Sequence, residues 1–337
     1  MRTCLSGKVF VGELLDGRRE ATKARIAKLQ EDLQEAERLC AGNACVYATG
    51  SFARGEASQH SDLDLFIVGQ MKDGKRSLRR LDEIRVKADL IEVTQRHKIP
   101  EFSGDGEYLV HYTVQQLVKT LGKPDDDATN TFTARLLLVL ESRALLGESV
   151  YQDVIEEVLG AYWLDYEDHK NEFIPAFLTN DILRLWRTFC VNYEARTARE
   201  PEEKRAKRRI KNYKLKHSRL LTCYSGLLYL LGVFSARRTV APTDAAEMVA
   251  RTPTERLEWL LSQPRLTDAH EKLEKPLRSY EAFLESTEAA ENTLIERFLD
   301  ARTHLKYMRS AYEFGDLVFD VLETIGQKNR FHRLLVV

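Results

Sequence analysis

Apolar and polar residues alternate along the chain with changing period. From about Asp16 to Ala41, Ile26, Leu29, Leu33 and Leu39 recur at helical spacing among Lys, Arg, Glu and Gln. That pattern predicts one amphipathic helix, and Gly42-Asn43 supplies its stop. The short apolar run Ala44–Ala48, closed by Thr49, Gly50 and Ser51, predicts a buried strand and a tight turn. A polar loop, Ala53–Ser61, leads to a second strand over Asp62–Val68 and a basic helix over about Lys75–Arg96. Gly104-Asp105-Gly106 reads as a turn and Tyr108–Thr113 as a third strand.

After Pro124 the texture changes. Asp125-Asp126-Asp127 places negative charge where a helix N-terminus favours it. The run Phe132–Leu146 is too long for a strand and predicts a buried helix. Only helices are expected from there on, over about 151–163, 177–195, 203–234, 243–251, 254–262, 266–290 and 292–326. No internal repeat is seen. The expected fold is α+β, with a small mixed β-sheet domain over 1–124 and a larger α-helical domain over 125–337.

Composition narrows the function classes. With 337 residues, 43% of them apolar, the chain can bury a substantial core. Lys and Arg number 51 against 52 Asp and Glu, a net charge of −1, which excludes a globally basic nucleic-acid coat but not a local patch. The five cysteines include no CxxC pair, so neither a disulfide framework nor a cysteine-rich zinc site is expected. Free thiols fit a reducing, cytoplasmic setting. The N-terminus has no long apolar stretch of the signal-peptide kind. The most apolar segment, Leu220–Phe234, is 15 residues long and contains Thr222, Ser225 and Gly226. A span needs about 20 apolar residues, so a buried helix is expected here, and no membrane partner.

The chemistry concentrates in Gly50-Ser51-Phe52-Ala53-Arg54-Gly55-Glu56-Ala57-Ser58-Gln59-His60-Ser61-Asp62-Leu63-Asp64-Leu65. Gly50 lets a ligand approach the backbone. Ser51 offers a hydroxyl and an N–H at the start of a turn or helix, where phosphate is favoured. Period-2 geometry puts Asp62 and Asp64 on one strand face and Leu63 and Leu65 on the other. Two carboxylates beside a phosphate cradle suit a hard divalent cation such as Mg²⁺. His60 reads as a solvated loop residue, Trp163, Trp186 and Trp259 as core, and Glu141 as a polar boundary residue.

As a joint pattern, VYATGS…SDLDLFIV resembles the signature of the DNA polymerase β-like nucleotidyltransferase superfamily. The resemblance implies that Gly50 and Ser51 hold the β/γ-phosphates of an NTP or dNTP. It further implies that Asp62 and Asp64 ligate two Mg²⁺ ions, with Mn²⁺ able to substitute. Arg54 either touches phosphate or pairs with Glu56. The superfamily commonly adds a third carboxylate on a neighbouring strand. Glu107 is preferred for it over Asp105, and Asp89 and Glu92 read as a solvated helix face.

The second half adds two features. Asn180-Asp181-Ile182-Leu183-Arg184-Leu185-Trp186-Arg187 partly resembles a segment in the helical domain of bacterial PII uridylyltransferases and glutamine synthetase adenylyltransferases, with Asn180 in place of Arg. Asp181, Arg184 and Arg187 share roughly one helix face, either over a nucleotide or in a structural ion-pair role. Lys204–Arg219 carries nine Lys/Arg in sixteen positions and no acid. Like charges at i,i+4 disfavour a helix, which suggests an anionic partner at Lys211, Lys214 and Arg219; the alternative is a solvated helix face.

The resemblance therefore implies transfer of an NMP or dNMP from an NTP or dNTP to an acceptor hydroxyl, with release of pyrophosphate. The acceptor is either a nucleotide or nucleic-acid 3′-hydroxyl, giving a signal oligonucleotide or untemplated tract as in anti-phage defence, or a protein side chain. A nucleotide-binding scaffold without activity is the third reading. The helices from about 243 are candidates for a partner or oligomer interface.

Overall fold

The computed structural model describes residues 12–102, 106, 109–194, 201–327 and 329–336. The fold is α+β. The chain forms two compact units: Arg18–Thr188 with Arg238–Thr252, and Met1–Gly17 with Phe189–Arg237 and Pro253–Val337. The units are thus cut elsewhere than at residue 124, because segments far apart in sequence pack together.

The first unit contains a four-stranded mixed sheet. Strands β1 (Ala44–Thr49), β2 (Asp64–Gly69), β5 (His111–Thr113) and β6 (Arg143–Leu146) lie in the order β5-β2-β1-β6. β1 runs antiparallel to both β2 and β6, whereas β2 and β5 are parallel. Every residue of β1 is buried, as expected for a central strand covered on both faces. Val46, Ala48, Leu65 and Ile67 face a core with Ile26, Leu29, Leu33, Val86, Leu90 and Val93. On the other face Tyr47 stacks on Phe66, ring centroids 5.5 Å apart, and its hydroxyl donates to the Ala134 carbonyl at 3.0 Å.

Several elements differ from the sequence reading. The N-terminal helix is two, Glu13–Asp32 and Gln34–Cys40, broken at buried Leu33. The run Phe132–Leu146 is not one helix. A helix over Thr131–Leu140 ends at Glu141, whose backbone leaves the helical region (φ −154°), and the chain then forms β6 on the edge of β1. Length misleads here, because two short buried elements in series look like one long one. The basic helix begins at Arg80 rather than Lys75. Ahead of it, β3 (Met71–Lys72) and β4 (Lys75–Arg76) form a hairpin around Asp73-Gly74, with φ of +50° and +73°. Asp-Gly is a favoured two-residue turn for this geometry.

The second unit is helical. Glu202–Lys214, a π-helical turn over Leu215–Arg219 and Leu220–Arg237 run on as one long segment. It is long and apolar enough to cross a membrane by composition, but 78% of its apolar window is buried within the protein. Around it pack Pro253–Leu261, Glu291–Leu299 and Ala301–Gly326. The expected helix over 292–326 is split, at Asp300, into Glu291–Leu299 and Ala301–Gly326; the Asp300 carboxylate accepts from the Thr303 N–H at 2.7 Å, as an N-cap does.

Candidate active site

Gly50 follows β1 directly and opens the short helix Gly50–Ala53. Its φ is +67°, in the left-handed region that glycine tolerates best. Register pairs Thr49 with Asp64, the first residue of β2. A Cβ on Gly50 would lie 3.1 Å from Asp64 Oδ2. The glycine therefore keeps open the space beside this carboxylate. Leu63 and Leu65 are buried at 3% exposure each, Asp64 is half-buried and Asp62 is exposed. The strand begins at Asp64, so Asp62 stands just outside it.

The turn after Gly50 is held from below. The Arg54 N–H donates to the Gly50 carbonyl at 3.0 Å and the Glu56 N–H to the Ser51 carbonyl at 2.8 Å. The Arg54 guanidinium is buried, with Nε 2.8 Å from Glu56 Oε2 and a terminal nitrogen 2.8 Å from Glu141 Oε2. Of the two readings of Arg54, phosphate contact or pairing with Glu56, the structure displays the pairing. Glu141, read as a boundary residue, is instead fully buried in this pair and joins the turn to the start of β6.

One helix face fastens the loop. Arg18 donates to the Glu56 carbonyl at 3.0 Å, Thr22 Oγ1 accepts from the Ala57 N–H at 3.0 Å, and Arg25 donates to the Ser58 carbonyl. The Arg25 guanidinium also lies 4.6 Å from the Phe52 ring centroid. Arg18, Thr22 and Arg25 are spaced i, i+4 and i+7, a polar stripe legible in the sequence once apolar positions are not the only ones followed. His60 is exposed at the loop tip.

The other expected site residues fall as follows. Glu107 and Asp105 lie outside the described residues. Glu92 is exposed and pairs with Arg96 at 2.8 Å, on a solvated helix face. Lys211 and Lys214 are exposed on Glu202–Lys214, in the second unit, and Arg219 places its guanidinium 5.3 Å from the Phe189 ring centroid. Part of the basic run is balanced within the chain. Lys207 lies 3.6 Å from both Glu203 and Glu291, and Arg205 lies 3.5 Å from Glu202.

Asp181 is buried and accepts from the Tyr162 hydroxyl at 2.8 Å. Burial raises its pKa above the usual carboxylate range. Arg184 pairs with Asp127 and lies 4.2 Å from the Phe132 ring centroid. These contacts realise the structural reading of that segment. Asp125, Asp126 and Asp127 do open a short helix, Asp125–Ala128; within it Asp126 is fully buried against Arg135, which also donates to Tyr162 Oη and the Leu117 carbonyl.

The residues at the end of β1 suit a hard cation. Asp62 and Asp64 supply oxygen donors. Gly50 leaves a cradle a Cβ would narrow, and the buried Thr49 Oγ1 opposite Asp64 has no hydrogen-bond partner among the described residues. Among the described residues no group of three or more His, Cys, Asp or Glu side chains is placed to hold a metal. A two-carboxylate site is nevertheless sufficient for Mg²⁺ when substrate phosphates complete the shell.

Residues 26–111 match the family model of the nucleotidyltransferase domain. The match spans both strands, Gly50-Ser51 and both aspartates, and supports placing this segment in the polymerase β-like superfamily. The class it defines transfers nucleoside monophosphates from nucleotide substrates. No curated protein matches the chain.

Proposed function

We propose that the protein is a Mg²⁺-dependent nucleotidyltransferase that moves an NMP or dNMP from an NTP or dNTP to an acceptor hydroxyl and releases pyrophosphate. The observation that carries this reading is the approach of Gly50 to the Asp64 carboxylate at the end of β1. Magnesium bound there would neutralise phosphate charge and stabilise the leaving pyrophosphate. The chain's own part is positional. Gly50 leaves room for a triphosphate, Ser51 offers its hydroxyl and N–H, and Asp62 and Asp64 hold the cation against the phosphates.

For the acceptor, a nucleotide or nucleic-acid 3′-hydroxyl is proposed, supported by the exposed Lys211 and Lys214 on a helix rich in basic side chains. A product of this kind would serve as a signal oligonucleotide or short untemplated tract, in keeping with an anti-phage role. Purified protein is incubated with each labelled NTP and dNTP and Mg²⁺. Labelled oligomers are the expected result. Label on a protein band would move the assignment to protein uridylylation or adenylylation, and nucleotide binding without turnover to a scaffold. Asp62→Ala and Asp64→Ala should each lower turnover at least about a hundredfold while leaving the circular dichroism spectrum unchanged. Full activity in either variant removes the assignment.

A further inference from the structure

The helix Ala301–Gly326 buries one face and displays another. Ala311, Phe314, Val318, Val321 and Ile325 are buried. On the opposite side Leu305 is 67% exposed, Tyr312 59% and Phe319 55%. These three large apolar side chains are spaced i, i+7 and i+14, so they form one straight stripe, about 21 Å long at 1.5 Å per residue. A soluble helix ordinarily shows water its polar face. A stripe of this length marks an interaction surface.

The charges beside the stripe identify its partner. The neighbouring row reads Arg302, Arg309 and Asp316, all exposed, and then half-buried Glu323; the exposed row beyond it reads Lys306, Glu313, Asp320. The N-terminal half is basic and the C-terminal half acidic, with the change of sign at Tyr312. Lys306, Arg309, Asp316 and Asp320 make no ion pair among the described residues, whereas Glu323 pairs with His332 at 3.1 Å. A helix of this polarity is complementary to itself in reverse.

We propose that this face is the two-fold interface of a homodimer, in which Ala301–Gly326 packs antiparallel against the same helix of a second copy. Turning the helix about Tyr312 brings Leu305 of one copy opposite Phe319 of the other, since both are seven residues from the axis. The same rotation sets Arg309 near Asp316 and Lys306 near Asp320, each pair forming twice, as an isologous contact requires. Along such a seam, charges of opposite sign fix antiparallel over parallel pairing. Glu313 meets its own copy near the axis. Lys216, whose ammonium lies 4.5 Å from the Tyr312 ring centroid, supplies a positive charge there. The three apolar side chains cover on the order of 400 Å² per copy, about half the roughly 800 Å² per partner of a standard interface. The dimer is therefore weak, concentration-dependent and weakened by salt.

Sedimentation velocity on the full chain over a concentration series tests this. Reversible dimerisation is expected, weakened by added salt. Lys306→Glu with Arg309→Glu sets like charges across the seam and should weaken self-association at least about tenfold. Adding Asp316→Lys and Asp320→Lys to the same chain should restore it. In addition, Tyr312→Cys should give a disulfide-linked dimer on mild oxidation, because that position faces itself. A chain that stays monomeric throughout, or a dimer indifferent to Lys306→Glu with Arg309→Glu, overturns the proposal. Failure of the fourfold variant to recover overturns the antiparallel register.

Discussion

A Cβ added to Gly50 would stand 3.1 Å from Asp64 Oδ2, across the antiparallel pair that joins the end of β1 to the start of β2. Backbone shape and carboxylate position are therefore one feature. Gly50→Ala adds strain at φ +67°, about 1–2 kcal/mol, and forces the Asp64 side chain aside. We expect a small fall in melting temperature and a loss of Mg²⁺-dependent nucleotide affinity of roughly 10–100-fold. Isothermal titration with and without Mg²⁺ separates the two. Unchanged affinity would detach Gly50 from the site.

The buried Arg54 links Glu56 in the turn to Glu141 ahead of β6. Truncating one partner of such a pair leaves a charge buried, at about 3–5 kcal/mol. Arg54→Met should lower the unfolding free energy measured by urea titration by that order, and Arg54→Lys by less. If Arg54 served only to bind phosphate, Arg54→Met would leave stability untouched and change nucleotide affinity alone.

A second buried pair tests the core independently of the site. Arg135 and Asp126 are both fully buried, and Asp126 also accepts from Thr131 Oγ1 at 2.8 Å. Although burial disfavours its charge, hydrogen bonding to Asp126 raises the Arg135 pKa above its ordinary value. Arg135→Met should destabilise by about 3–5 kcal/mol. Arg135→Met combined with Asp126→Leu should recover part of that loss, since Asp126 is then no longer buried without its partner, while Asp181, 3.7 Å from Arg135, still loses its cation. Thermal melts of the single and double variants decide it.

His217 lies between Phe283 and Phe314, at ring-centroid distances of 4.4 and 4.9 Å, with Nδ1 3.0 Å from the Tyr213 carbonyl. Burial lowers its pKa from 6.5 to about 4. The unfolded chain therefore binds a proton between about pH 6.5 and 4 that the folded chain does not. Stability is complete above that window and falls as pH drops through it, by roughly 3 kcal/mol. Urea titrations from pH 7 to pH 4 should show the decline, and His217→Gln should flatten it. A parallel decline in the variant would assign the effect to other groups.

Much of the site was legible because its parts are adjacent in sequence. Apolar β1, Gly50-Ser51 and the alternating Asp62-Leu63-Asp64-Leu65 lie within about twenty residues, and strand alternation fixes which side chains turn inward. The sequence reading starts the basic helix at Lys75 and so takes in Lys75–Arg76, the second strand of the hairpin around Asp73-Gly74, because basic residues on both sides mask a two-residue turn signal. It read Glu141 as a boundary residue, because its partner Arg54 is 87 positions away.

By itself, the sequence determined the α+β class, the two strands that frame Asp62 and Asp64, and the run of helices that follows. Those are local matters, set by the period of the apolar residues and by turn chemistry. Tertiary structure decided that β6 comes from beyond residue 124, and that Glu141 and Asp126 are interior partners of Arg54 and Arg135. It also decided which face of Ala301–Gly326 is covered and which remains open. Strand order, buried ion pairs and exposed faces depend on which distant segments meet, and no local pattern of residues encodes that meeting.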